Sequence, residues 1–225
     1  YIQSAITEYL GWYYVLVATF FLGFVFWLLL SRYGDVRLGD PYERPEYSYF
    51  GWFSMLFSAG MGIGLVFWSV AEPMYHYASP PMGDGETVRA AEIALRTTFF
   101  HWGLHAWAIY VIVGLALAYF AYRQKLPLAI RSAFYPLFGD RIYGPIGHVI
   151  DTIAVFGTMF GVATSLCLGV QQINSGLNYL LDVPEALGVQ LVLIAIITLI
   201  ATASVVLGLN KGVKFLSQLN VWLSL

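Results

Sequence analysis

The chain has 225 residues, of which 59% are hydrophobic and only 11% are charged, and its formal net charge is −2. A typical soluble domain contains about 25% charged residues, so this composition excludes an ordinary soluble protein. No basic patch indicates nucleic-acid binding, and the single cysteine, Cys167, excludes a disulfide framework.

The charged residues are clustered, and the intervals between the clusters are long enough to cross a membrane. Five uncharged runs exceed the roughly 20 residues that span a bilayer core, and a further run starts after Lys214. The pattern predicts an all-α integral membrane protein with one membrane domain over residues 1–225. The expected spans are near 9–31, 48–71, 97–122, 148–181 and 186–210, with the start of a sixth from 215.

Prolines and one threonine mark where several helices are expected to end or begin. The first span is followed by Asp40-Pro41 and Arg44-Pro45, which disfavour helix. Glu72-Pro73 is expected to end the second span, at its outer boundary. Thr87 is placed to cap the next helix through its side-chain oxygen.

Three glycines lie close together in the middle of the second span. The segment 60–64 reads Gly-Met-Gly-Ile-Gly, and each glycine disfavours helix by about 1 kcal/mol relative to alanine. We therefore expect the helix to unwind there, as discontinuous helices of secondary transporters do around a cavity. The alternative is close helix packing through Gly60 and Gly64. Gly62 lies on the opposite face, where packing does not need it, and favours unwinding.

Three large aromatic residues follow one another in the third span. Trp102, Trp107 and Tyr110 fall at about 0°, 140° and 80° around a continuous helix, at roughly 100° per residue. They are predicted to form a fan on one side of the helix, and such a pocket suits a quaternary ammonium through cation–π attraction. The alternatives are an interfacial anchor for Trp102 and core packing or lipid contact for the other two.

Two histidines in the same span could bind a metal in principle. His101 and His105 are four residues apart, but no carboxylate or thiol lies near them in sequence, so a helix-contact role is the favoured interpretation. The chain also contains no nucleophile elbow, phosphate loop or paired-carboxylate motif. We predict no catalytic residue and no metal site.

The distribution of lysine and arginine predicts the orientation. Nine of these eleven residues lie in the loops 32–46 and 123–151 and after residue 210, whereas Arg89 and Arg96 are the other two. This positive-inside pattern places those three loops in the cytoplasm and the Tyr1 end outside, so we expect at least one further span before this fragment. The aromatic and basic segment 126–144 is predicted to form a short helix on the cytoplasmic surface.

Several short motifs between residues 38 and 214 occur together in one known family. They are Pro45-Glu46-Tyr47-Ser48, Gly60-Met61-Gly62-Ile63-Gly64 with Glu72-Pro73, His101-Trp102-Gly103 with Trp107 and Tyr110, Tyr135-Pro136-Leu137, Gly144-Pro145-Ile146-Gly147, Ser165-Leu166 and Asn210-Lys211-Gly212. In this combination the chain resembles the betaine/carnitine/choline transporter family.

The resemblance implies a twelve-helix transporter with two five-helix inverted repeats, of which this chain holds about the first half, assembled as a homotrimer. It assigns Trp102, Trp107 and Tyr110 to an aromatic substrate box whose other wall belongs to the second repeat. It also implies that Gly60, Met61, Gly62 and Gly64 of the broken second span contact the substrate. In sodium-coupled members, backbone near Ala59 and Met61 contributes to an ion site.

Two positions discriminate within the family. Choline-selective members tend to carry aspartate where this chain has Gly64, and the absence of that anion favours a zwitterion such as glycine betaine. Sodium-coupled relatives place hydroxyls at two positions four residues apart. This chain retains Thr158 but has Val162, which lacks the oxygen that a hard cation requires.

The combined expectation is a secondary active transporter, and not an enzyme, that takes up a quaternary-ammonium compatible solute such as glycine betaine for osmoprotection. Sodium symport is the expected coupling, and the alternative is a proton-coupled or exchange carrier for choline or carnitine. We expect no cofactor besides the coupling ion, no nucleic-acid partner, and a location in the bacterial plasma (inner) membrane. A membrane enzyme that uses His101 and His105, or a channel, would be a rival interpretation.

Overall fold

The computed structural model describes residues 2–224, except for the side chains of Ile2, Gln3 and Ile63. Nine α-helices and several short 3₁₀ and π turns make up this part of the chain, and it contains no strand. The helices are α1 (Ile2–Leu30), α2 (Tyr49–Gly60), α3 (Ile63–Ala78), α4 (Val88–Trp102), α5 (Leu104–Ala118), α6 (Tyr135–Phe138), α7 (Pro145–Leu181), α8 (Leu187–Val206) and α9 (Lys214–Ser224).

The described residues include four helical segments long and apolar enough to cross a membrane, or five when one bent pair is added. The four are Ser4–Leu30, Val88–Arg123, Pro145–Leu181 and Leu187–Val206, and the pair is Tyr49–Gly60 with Gly64–Ala78. The predicted all-α membrane class is therefore confirmed. The segment Val88–Arg123 begins before the uncharged run 97–122 because Thr87 caps it. The Thr87 side chain accepts the Ala90 N–H at 3.0 Å, as expected for this residue.

The predicted unwinding of the second span is confirmed. Helix α2 ends at Gly60 and α3 begins at Ile63, and the two are bent by 45°. Met61 adopts φ −84° and ψ 69°, and the Gly62 N–H bonds to the Gly60 carbonyl at 3.0 Å. A continuous helix would direct that N–H to the carbonyl of Ser58, so the break removes a regular helical bond from the end of α2.

The helix does not end at Glu72-Pro73, where the second span is expected to end. Helix α3 continues through Pro73 to Ala78. A proline inside a helix removes one backbone hydrogen bond, here the one to the Ser69 carbonyl, but its fixed φ is itself helical. The helix therefore extends beyond the uncharged run and carries Glu72 inside it.

The third span is interrupted, which the sequence analysis did not anticipate. Gly103 separates α4 from α5 and has an extended backbone, with φ −84° and ψ −155°. A Cβ atom at this position would collide with the carbonyl oxygen of Phe99, so this extended conformation requires glycine. The positions calculated for the aromatic residues on one continuous helix are therefore wrong for Trp102, which precedes the interruption.

The chain divides into two compact units, each described by itself. The first runs up to Glu43 and again from Glu72 to Phe156, and the second comprises Arg44–Ala71 and the residues from Gly157 onward. In the first unit α5 packs against α1 and α4, and in the second α2 packs against α9. Buried side chains include Ala90, Ile93, Ala94, Ala108 and Ile142 in the first unit, and Val170, Asn174, Ser217 and Val221 in the second.

The segment 126–144 folds into three short helical pieces in the first unit: Ile130–Phe134, α6 and Gly139–Tyr143. Asp151 of α7 holds it in place by accepting the backbone N–H of Arg131 at 3.0 Å and by pairing with its guanidinium. The Ser132 hydroxyl donates to the carbonyl of Pro127 at 2.6 Å. The segment is helical as predicted, although as three pieces, and its position at the cytoplasmic surface stays a prediction.

Candidate functional site

A buried carboxylate is the centre of one group of polar contacts in the first unit. Glu72 of α3 has a side chain only 7% exposed. Both of its oxygens lie 2.9 Å from Nδ1 of His101, and Oε2 accepts the indole N–H of Trp102 at 2.6 Å. His76, one turn further along α3, approaches Oε1 with Nε2 at 3.6 Å. An ionised carboxylate only accepts hydrogen bonds, so the His101 tautomer that pairs with it carries its proton on Nδ1.

The three predicted aromatic residues are linked through the interruption at Gly103. Trp102 is the last residue of α4, and its carbonyl accepts the indole N–H of Trp107 at 2.9 Å. The rings of Trp107 and Tyr110 lie 5.6 Å apart at an interplanar angle of 39°. The ring of Trp102 lies beside that of His101, with centroids 4.9 Å apart. Trp107 and Tyr110 thus form one aromatic surface, and Trp102 is joined to it by a hydrogen bond.

The indole N–H groups of the two tryptophans are both engaged within the chain. Each indole has a single donor, and both donors are already used, by Glu72 and by the Trp102 carbonyl. Trp107 is 36% exposed and Tyr110 is 70% exposed in this chain. A quaternary ammonium has no N–H to donate and interacts with the face of an aromatic ring, so this arrangement matches that class of ligand.

The predicted glycine segment belongs to the second unit. Ala59 and Gly60 close α2, Met61 and Gly62 form the break, and Gly64 lies in the first turn of α3. A Cβ atom at Gly62 would meet nothing within 4 Å. The break therefore does not arise from crowding at Gly62, and the low helix propensity of glycine explains it.

A polar contact that the sequence analysis missed anchors the end of α2. The side-chain amide of Asn220 donates to the Ser58 hydroxyl at 3.1 Å, and that hydroxyl donates to the Ser217 carbonyl at 3.3 Å. Both partners lie on α9. Polar side chains that hydrogen-bond across helices are a recognised means of joining membrane helices. The presence of Ser58 and Asn220 within apolar runs could therefore have indicated this contact from the sequence.

The predicted ion-site residues are distributed over the second unit. Thr158 lies on α7, one helical turn before Val162, whose side chain is 61% exposed. Ala59 and Met61 lie at and just beyond the end of α2. Their roles in ion binding stay a prediction.

The histidine pair has two separate environments. His101 contacts Glu72, and the ring of His105 lies 4.8 Å from that of Phe100. In the described part of the chain no group of three or more His, Cys, Asp or Glu residues is arranged to hold a metal. The helix-contact interpretation is confirmed for His101. Its partner Glu72 was missed because it lies 29 residues away in sequence.

Comparison with known proteins identifies the family. A family model described as BCCT, betaine/carnitine/choline family transporter, matches residues 1–225. The chain belongs to this family. The predicted resemblance is confirmed.

Curated relatives are similar over nearly the whole chain. The glycine betaine transporter OpuD of Bacillus subtilis is 55% identical over 99% of the chain, which covers 44% of OpuD. A glycine betaine transporter of Acinetobacter baylyi is 53% identical over 99% of the chain and 34% of that relative. The high-affinity choline transport protein of Escherichia coli K12 is 50% identical over 98% of the chain and 32% of that relative.

The chain thus spans less than half the length of these relatives. The membrane-length helices and the bacterial transporter relatives indicate a multi-pass bacterial membrane protein.

Proposed function

We propose that the full-length protein is a secondary active transporter that takes up a quaternary-ammonium compatible solute such as glycine betaine. The observation that carries this proposal is the exposed aromatic surface of Trp107 and Tyr110, to which Trp102 is joined by a hydrogen bond. Both indole donors are occupied. Membership of the betaine/carnitine/choline transporter family supports the same solute class. The broken second span would supply a flexible, carbonyl-lined wall through Gly60, Met61, Gly62 and Gly64.

Glycine betaine is the preferred substrate in this proposal because Gly64 brings no anion to the site. A fixed carboxylate there would compensate the charge of choline, which has no carboxylate of its own. A zwitterion carries both charges and does not need that compensation. The relatives support the solute class without separating the two, since their names include glycine betaine and choline transporters.

Sodium symport is the proposed coupling, with backbone near Ala59 and Met61 and the hydroxyl of Thr158 as contributors to ion binding. A specific observation favours the second candidate, a proton-coupled or exchange carrier for choline or carnitine. Val162 stands where a sodium site would need a second hydroxyl, and it has no oxygen to offer. Uptake into proteoliposomes separates these candidates. An imposed sodium gradient tests sodium symport, a proton gradient tests proton coupling, and internal substrate alone tests exchange.

The proposed assembly is a homotrimer in the bacterial plasma (inner) membrane, with the Tyr1 end outside. The trimer is the expectation for this family. The orientation is supported by the nine basic residues in alternate loops.

Replacement of Trp107 tests the function most simply. Trp107→Ala in the full-length protein should abolish saturable uptake of labelled glycine betaine, because it removes a ring face from the proposed site. Trp12→Ala is the matched control, since Trp12 is also exposed and also donates its indole N–H to a backbone carbonyl, that of Tyr9. Unchanged affinity and rate in Trp107→Ala would refute the assignment.

A further inference from the structure

Glu72 itself has no role in the function proposed so far. Its carboxylate is buried, and a buried charge is strongly unfavourable unless hydrogen bonds and charged partners compensate it. The compensation here comes from consecutive residues at the end of α4, His101 and Trp102, and more distantly from His76. One side chain of α3 thereby holds the last turn of α4.

The contact with Trp102 restricts the ring more than ordinary packing does. An indole has one N–H, and that donor is directed at Oε2 of Glu72 at 2.6 Å. Rotation of the ring about its side-chain bonds would break this bond and leave the buried carboxylate with one donor fewer. The carboxylate therefore selects one orientation of Trp102.

The restriction extends to the next aromatic residue. Gly103 interrupts the helix directly after Trp102, and the Trp102 carbonyl accepts the indole N–H of Trp107. The ring of Trp107 in turn lies against Tyr110. A continuous series of contacts thus runs from Glu72 through Trp102 to the aromatic surface.

We propose that Glu72 is a positioning residue that orients Trp102, and through it Trp107, for binding of the quaternary-ammonium solute. This inference rests on the proposed function, since it assigns a task to Glu72 within the same site. Glu72 acts through the indoles and does not itself bind the solute. Its removal leaves the aromatic rings present but free to rotate, so it weakens binding more than it slows turnover.

The test combines transport kinetics with a double-mutant cycle in the full-length protein. Glu72→Gln removes the charge and leaves one acceptor oxygen for both His101 and Trp102. It should raise the KM for glycine betaine by about three- to tenfold, the loss expected when one or two ordered side chains become mobile. The kcat should change less than about twofold. Trp102→Phe removes the same indole donor, so adding Glu72→Gln to Trp102→Phe should raise KM by less than about twofold further.

A matched control separates positioning from general stability. Asp151→Asn weakens another carboxylate contact of the first unit, the one with Arg131, whose hydrogen bonds go to Asp151 and to the Ile142 carbonyl. It should leave the KM unchanged, even if less protein reaches the membrane. Unchanged KM values in Glu72→Gln and Trp102→Phe, or additive effects of the two, would overturn the proposal. If Glu72→Gln fails to fold, an unchanged KM in Trp102→Phe alone overturns it.

A solute-free measurement distinguishes this proposal from the function on which it rests. In protein labelled with 5-fluorotryptophan, the ¹⁹F resonance of Trp102 is assigned by its loss in Trp102→Phe. It should shift or broaden in Glu72→Gln without any solute, and an unchanged resonance would overturn the positioning role. Absence of glycine betaine uptake by the wild-type protein would refute the proposed function. The spectral result does not depend on uptake, because it is measured without solute.

Discussion

The two helix interruptions differ in the space around their glycines. The break at Met61 and Gly62 has open space around Gly62 and follows from the low helix propensity of clustered glycines. The break at Gly103 leaves no room for a side chain, since a Cβ would strike the Phe99 carbonyl, and the indole of Trp107 bonds to the Trp102 carbonyl beside it. The first is therefore suited to change conformation, and the second is suited to hold aromatic rings in fixed positions.

The largest effect is expected at Gly103, where no side chain fits. Gly103→Ala should reduce glycine betaine uptake to near background and lower stability by about 1–3 kcal/mol, because the new methyl group must displace backbone. Transport assays and thermal unfolding of the purified full-length protein measure both. Gly114→Ala in α5 is the control, since a Cβ there meets nothing within 4 Å. Normal uptake by Gly103→Ala would show that the interruption does not depend on glycine.

The predictability of these two regions differs for the same reason. Propensity and charge are local properties, so the membrane spans and the Gly60–Gly64 break could be read from the sequence. A lone glycine in an apolar run is often tolerated in a helix, so the interruption at Gly103 could not. The bond between Glu72 and Trp102 joins residues 30 positions apart, and only the folded chain brings them together.

A smaller effect is expected where propensity causes the break. Gly62→Ala introduces no collision and favours a continuous helix by about 1 kcal/mol, which corresponds to a roughly fivefold change in a conformational equilibrium. We expect the uptake rate to fall by about that factor while thermal stability is maintained or increased. Gly161→Ala in α7, also in open space, should not alter the rate. A loss of stability in Gly62→Ala would contradict the proposed cause of the break.

The central claim, that the aromatic surface recognises the positive charge of a trimethylammonium group, has one direct test. The affinity of the full-length protein for glycine betaine is compared with that for 3,3-dimethylbutanoate, in which carbon replaces the quaternary nitrogen. The shape and the carboxylate are retained, so only the cation is lost. We predict that the wild-type protein binds glycine betaine at least about tenfold more tightly, as cation–π attraction in a desolvated site implies. Equal affinity for the two compounds would contradict the account.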